Sequence, residues 1–166
     1  MKLQFHKKSF QIKNPMDIPS WAEKVPRWYQ LDGFALALTD LMAEKKLDFD
    51  HMILISPKAS NYTDLDFIQT GAHKAQKFVH TLPNIRASMA LQALEKVCPF
   101  ICIIGSSTEG LEEFQALRKD GKRPLLACVE GPNLDASAEK LQTYTAWILA
   151  PDGPDRWKEI ETHDAF

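Results

Sequence analysis

The apolar positions of this chain change period several times, and the changes divide it into elements. From Leu3 to Ile12 they alternate loosely (Leu3, Phe5, Phe10, Ile12), which predicts a hairpin arm or edge strand ahead of the loop marked by Asn14-Pro15 and Pro19. Behind Pro26, residues Tyr29, Leu31, Phe34, Leu38, Leu41 and Met42 recur at short helical spacings, most of them on one stripe, and predict a helix ending near Lys46. His51 to Ser56 is a short, nearly continuous apolar run closed by Pro57, the pattern of a strand covered on both faces. After the polar loop Ser60-Asn61-Tyr62-Thr63, helical material is expected from Asp64 to His80, and again from Ile85 to Lys96.

Pro99 to Gly105 is the most hydrophobic strand candidate. It passes through Ser106 and Ser107 into a helix running from Gly110 to Leu117, which Gly121 closes. Arg123 to Gly131 and Tyr144 to Ala150 supply two more buried strands. Strands alternating with helices on this scale predict an α/β layer fold with a mainly parallel central sheet. Residues 1–166 read as one domain, with 151–166 as a charged, proline-bearing peripheral tail.

Composition narrows the class. The 166 residues are 45% apolar and 25% charged, which excludes a disordered, collagen-like or rod-like chain. A domain of this length buries roughly 70% of the surface its unfolded chain exposes, so it needs neither disulfides nor a structural metal. Twenty basic residues against 22 acidic ones give a net charge of -2, and the basic ones are scattered, which argues against nucleic acid as a partner. Cys98, Cys102 and Cys128 are odd in number and lack Cys-x-x-Cys spacing; they read as buried thiols in a reducing compartment, the cytoplasm. No segment approaches the ~20 apolar residues that span a bilayer. No cofactor or metal is expected. Trp28, Trp147 and Trp157 fit either an interface or a core.

In open α/β sheets the ligand crevice lies beyond the carboxyl ends of the strands, so the turn Gly105-Ser106-Ser107-Thr108-Glu109-Gly110 is the first place for chemistry. A phosphate loop is excluded, because Leu111-Glu112 stands where Lys-Ser/Thr is required and the glutamates repel an anion. A nucleophile elbow is nearly spelled by Gly105-Ser106-Ser107, but its second glycine comes one residue late; Asp152 and His163 follow in hydrolase order. A capping box, Ser106 with Glu109, accounts for the same residues without catalysis. The local sequence leaves these two readings open.

Taken from the middle outward, the chain resembles the N-terminal half of a β-ketoacyl synthase of the thiolase-like superfamily. Thr81-Leu-Pro-Asn84, the small-residue helix through Ala87-Ser-Met-Ala-Leu-Gln-Ala-Leu94, and Cys98-Pro99 before an apolar strand are similar to that family's segment ahead of its active cysteine. Ser107-Thr108-Glu109-Gly110-Leu111 is similar to its Cys-Thr-Ser-Gly-Val, which puts Ser107 at the nucleophile's position. Leu125 to Glu130 matches the strand written Ala-Leu-Ala-Gly-Gly-Val-Glu, and Tyr144 to Ala150 the strand that completes the first half. The likeness covers residues 27–150.

The resemblance implies a five-stranded mixed, mostly parallel sheet sandwiched between helices. It also implies degeneracy: serine replaces the cysteine that carries the acyl thioester, and the histidine-bearing second half of the family is absent. None of His6, His51, His73, His80 and His163 has the local context of those histidines. The expected role is a non-catalytic accessory subunit in fatty-acid or polyketide-type synthesis, with no confident catalytic residue. The alternative is an acyltransferase or serine hydrolase using Ser107. In this family the strand before the nucleophile pairs across a dimer, which here means Phe100, Ile101, Cys102, Ile103 and Ile104. The implied partners are a second copy or a ketosynthase, and an acyl carrier protein. Alternatively the N-terminal segment, Met1 to Ile12, covers that strand within the chain.

Overall fold

The computed structural model describes residues 3–11, 17–56, 79–80, 82–131 and 143–151. Five strands and three helices carry the fold: β1 (Leu3–Gln11), α1 (Gly33–Ala43), β2 (His51–Ser56), α2 (Pro83–Ala93), β3 (Phe100–Ile104), α3 (Ser107–Lys119), β4 (Pro124–Glu130) and β5 (Thr143–Pro151). The helix expected at 64–80 lies outside the described residues except at its last two, as do Asp152, Trp157 and His163 of the tail.

The strands form one sheet in the order β1-β5-β4-β2-β3. β4, β2 and β3 are mutually parallel, and β5 runs antiparallel to both β4 and β1, so four of the five strands point the same way. The mixed, mostly parallel sheet implied by the resemblance is therefore present. α1 and α2 cover one face, packing Phe34, Leu38, Leu41, Ala87 and Leu91 on Met52, Leu54, Leu125 and Ile148. α3 covers the other, setting Leu111 and Phe114 on Ile53, Ile55, Leu126, Trp147 and Leu149. The continuous apolar runs of β2, β4 and β5 follow from this two-sided burial, which removes the need for polar alternation. Trp147 fills the core rather than an interface, 1% exposed with Phe5 beside it.

Three boundaries depart from the sequence expectation. α1 begins at Gly33 rather than behind Pro26: Leu31 is extended, Asp32 caps the helix by accepting from the Ala35 N–H at 2.8 Å, and the preceding residues form single 3-10 turns at Ala22–Lys24 and Trp28–Gln30. Tyr29, counted on the helical stripe, is exposed. α2 begins at Pro83, whose fixed φ and missing N–H suit the first helical position, and ends at Ala93. The N-terminal segment is an edge strand, but on the opposite side of the sheet from β3, pairing Leu3 with Pro151 and Gln11 with Thr143. It does not cover β3.

α2 and α3 end in the same Schellman turn. After α3, the Lys122 N–H donates to the Leu117 carbonyl and the Gly121 N–H to the Arg118 carbonyl, with Gly121 at φ 74°. After α2, the Lys96 N–H donates to the Leu91 carbonyl and the Glu95 N–H to the Gln92 carbonyl, but the left-handed residue is Glu95, at φ 54°. Glycine relieves a Cβ clash there, and the Glu95–Lys24 ion pair that would be lost is exposed and weak. Glu95→Gly is expected to stabilise the fold by about 1 kcal/mol in urea unfolding. Gly110 tells the opposite story. A methyl group there would overlap the Ile55 side chain and lie 3.2 Å from Leu126 Cδ1, because α3 rests directly on β2 and β4. Gly110→Ala is expected to cost about 1–3 kcal/mol by the same measurement, despite alanine's better helix propensity.

Candidate functional site

The turn after β3 is held from two directions. The Gly105 N–H donates to the Ser56 carbonyl at 3.2 Å, tying the turn to the end of β2. The Ser106 N–H donates to Glu109 Oε2 at 2.8 Å and the Ser106 hydroxyl to the same oxygen at 3.3 Å, as part of the capping box expected from the sequence. Gly105 makes this possible, since a side chain there would collide with the Glu109 carboxylate. The carboxylate thus sits where the helix dipole and free amides would otherwise meet an anion or a developing oxyanion.

Ser107 is the first residue of α3, half-buried, and among the described residues no side chain hydrogen-bonds its hydroxyl. The described histidines are placed elsewhere. His51 opens β2 at the far end of the strand and hydrogen-bonds Asp50 at 2.8 Å; His6 lies on β1; His80 stands just ahead of α2. Thr108 and Glu109 are exposed, and Gly110 is the buried contact already described. The thiols are no substitute nucleophiles: burial raises Cys98, pushes Cys102 up to about 11, and pushes Cys128 up to about 12. Among the described residues no group of three or more His, Cys, Asp or Glu is arranged to hold a metal, and no helix is long and apolar enough to cross a membrane.

β3 itself is the more informative feature. Among the described residues it ends the sheet, paired with β2 on one side only. The Met52 N–H donates to the Pro99 carbonyl at 3.0 Å, and Gly105 donates to Ser56 as described. Alternation along the strand then turns the polar backbone of Ile101 and Ile103 toward β2 and that of Phe100, Cys102 and Ile104 outward. Three N–H and three C=O groups form an open edge among the described residues. The side chains match it: Phe100 is 38% exposed, Ile101 42% and Ile104 60%, while Cys102 and Ile103 pack partly against the two core layers. An apolar strand with an unpaired backbone is a template for another strand.

Behind β3 lies a buried charge cluster that the sequence reading missed. Arg86, on α2, donates from Nε and Nη2 to Asp32 Oδ2 at 3.0 and 2.5 Å and from Nη1 to Ser56 Oγ at 3.1 Å, with its guanidinium 4.7 Å above the centre of the Phe34 ring. Both charged residues are buried. Burial pushes the Asp32 carboxyl up, and the Arg86 charge and the Ala35 N–H pull it back. His80, next to this cluster, is lowered by burial and then by the Arg27 charge. Two signals could have pointed here: an aspartate directly before an apolar helix, and a lone arginine on the alanine-rich stripe of Ala87, Ala90 and Leu91.

No protein-family model matches the sequence, and no curated protein matches it. Among solved structures, the chain is similar to a chain in the complex of a ketosynthase (ApeO) with its chain length factor (ApeC) from Xenorhabdus doucetiae. The TM-score is 0.53 at 15% identity, over 92% of this chain and 80% of that one. The fold is thus ketosynthase-like, a mixed five-stranded sheet with three helices among the described residues.

Removing one member of the buried pair exposes its cost. Arg86→Met is expected to lower unfolding free energy by about 3–5 kcal/mol near neutral pH, because the Asp32 charge is left buried alone. The isolated carboxyl is driven further toward its protonated form, so the native variant binds a proton more tightly than its unfolded chain and gains stability as pH falls. Urea titrations at neutral and acidic pH should show the deficit against the unsubstituted protein narrowing in acid.

Proposed function

We propose that this chain is a non-catalytic accessory subunit of ketosynthase type, acting in fatty-acid or polyketide-type synthesis in the bacterial cytoplasm. It works by pairing the β3 edge with a catalytic ketosynthase, with acyl carrier protein as a further partner, and residues 1–166 act as one domain. The observation that carries this reading is the open, apolar edge of β3, which offers six backbone groups and exposed Phe100, Ile101 and Ile104 to another chain. The structural neighbour is a ketosynthase in complex with its chain length factor, and this chain shares its fold. The three free thiols suit a reducing compartment.

The turn that would carry an acyl group speaks for a structural role. Ser107 has no base beside it among the described residues, and the Glu109 carboxylate accepts from the neighbouring Ser106 amide at the N-terminus of α3. Serine at the nucleophile's position keeps the geometry of the family's turn but needs a proton acceptor that a low-pKa cysteine does not.

Intact mass after incubation with acyl-coenzyme A thioesters tests the reading. The chain is expected to stay unmodified and to behave like Ser107→Ala; a stable acyl adduct lost in Ser107→Ala would overturn the non-catalytic role. Co-expression with the ketosynthases of the source organism is expected to yield a complex that Ile101→Lys on the exposed edge abolishes.

A further inference from the structure

We propose that residues 152–166 turn back under the sheet and seat Trp157 in a groove beside Phe100, so that the chain fills this groove with a segment of its own. The inference stands apart from the accessory role and does not depend on it.

The groove, of about 840 Å³, lies at the C-terminal end of α2, floored by Leu91 and walled by Val97, Cys98 and Phe100. Leu91 is buried at its base, whereas Val97 is wholly exposed and Phe100 more than a third exposed. Its far wall is fastened to α2: Gln92 Nε2 donates to the Lys24 carbonyl at 2.7 Å, and the Lys24 ammonium pairs with Glu95 at 3.1 Å. The left-handed Glu95 and the Lys96 ammonium, 3.9 Å from the Phe49 ring centre, hold the turn that presents Val97. Apolar side chains held bare on a fixed turn mark a surface that another segment covers.

The sheet register says which segment can supply the cover. Leu149 faces Leu126, so two steps further Pro151 stands level with Pro124; Pro124 faces His51, and Phe100 faces the next residue, Met52. The end of β5 and the groove therefore lie at the same end of the sheet, three strands apart, which is about 14 Å. Trp157 comes six residues after Pro151 and can reach about 20 Å from it, far enough to meet Phe100. The segments that follow Gln11, Ser56 and Glu130 leave from the opposite end of the sheet, and at the groove's end Met1 and Lys2 are too short to cross it.

The residues of the segment suit the path. Asp152 and Asp155 come first, where Lys122 stands exposed ahead of β4 within electrostatic reach of Asp50. Arg156 and Lys158 then flank Trp157, opposite Glu23 and Glu95 at the rim of the groove. Exposed ion pairs of this kind are weak, so they guide the direction of the chain while burial of the indole ring holds it.

Cys98, in the groove wall, reports on occupancy, and the buried Cys128 reports on unfolding. Iodoacetamide labelling read by peptide mass spectrometry is expected to modify Cys98 about tenfold faster in Trp157→Asp than in the unsubstituted chain, with Cys128 unlabelled in both. An excess of a peptide of residues 152–166 should restore the protection in that variant. Ser88→Trp, which fills the groove from an exposed position on α2, should speed trypsin cleavage after Arg156 and Lys158. Equal Cys98 rates in the two chains, a peptide without effect, or cleavage indifferent to Ser88→Trp would overturn the proposal. So would labelling of Cys128 in Trp157→Asp, which would put that ring in the core, or protection that fades on dilution, which would assign the groove to the tail of another copy.

Discussion

The ion pair of Asp32 and Arg86 is the point at which three separate elements become one body. Asp32 ends an extended segment and starts α1, Arg86 belongs to α2, and Ser56 is the last residue of β2, so a single guanidinium ties two helices to the sheet beneath them. Neither charge is tolerable there without the other. The position of α2 along the sheet follows from this contact, and with it the path of the chain from Ala93 through the Glu95 turn into β3. The edge strand is presented where it is because the helix before it is pinned from beneath. Phe34, under the guanidinium, meets Tyr144 edge to face with centroids 5.1 Å apart, which carries the same restraint to β5.

Much of this layout was legible in the amino-acid order. The apolar runs at His51 to Ser56, Pro99 to Gly105, Arg123 to Gly131 and Tyr144 to Ala150 became β2, β3, β4 and β5, and in β2, β4 and β5 burial on both faces leaves no room for polar alternation. Gly121 announced the end of α3, since few other residues take its backbone angle without strain. The start of α1 was missed because Tyr29 and Leu31 imitate helical spacing although a capping aspartate follows them. The strained turn at Glu95 was invisible for the converse reason, a left-handed position occupied by a residue that does not advertise one. The Arg86 cluster joins positions 32, 56 and 86, and no local pattern links residues so far apart.

The turn at Gly105–Gly110 shows how the same residues serve opposite ends. Serines at the head of a helix behind a buried strand are the raw material of an acyl-transfer site and also of a good helix cap. What separates the two is one carboxylate. Glu109 folds back over Gly105 and accepts from the Ser106 amide, turning the positive end of α3 inward on itself. The sequence was compatible with both, and in the structure the capping box is the arrangement present. The β3 edge was different: its composition does not set it apart from β4, which also opens on a proline and precedes a glycine yet lies inside the sheet, and only the resemblance pointed to it.

The reversed strand β5 joins parts of the chain that lie far apart in sequence. Among the described residues β1 pairs in the sheet only with β5, and Leu3 faces Pro151, far away along the sequence. The β1–β5 pairing is a contact of very high sequence separation, and such contacts cost more loop-closure entropy than the β2–β4 pairing does. The sheet is therefore closed on the side remote from β3 by its most non-local pairing, while β3 itself is held by the parallel strand β2.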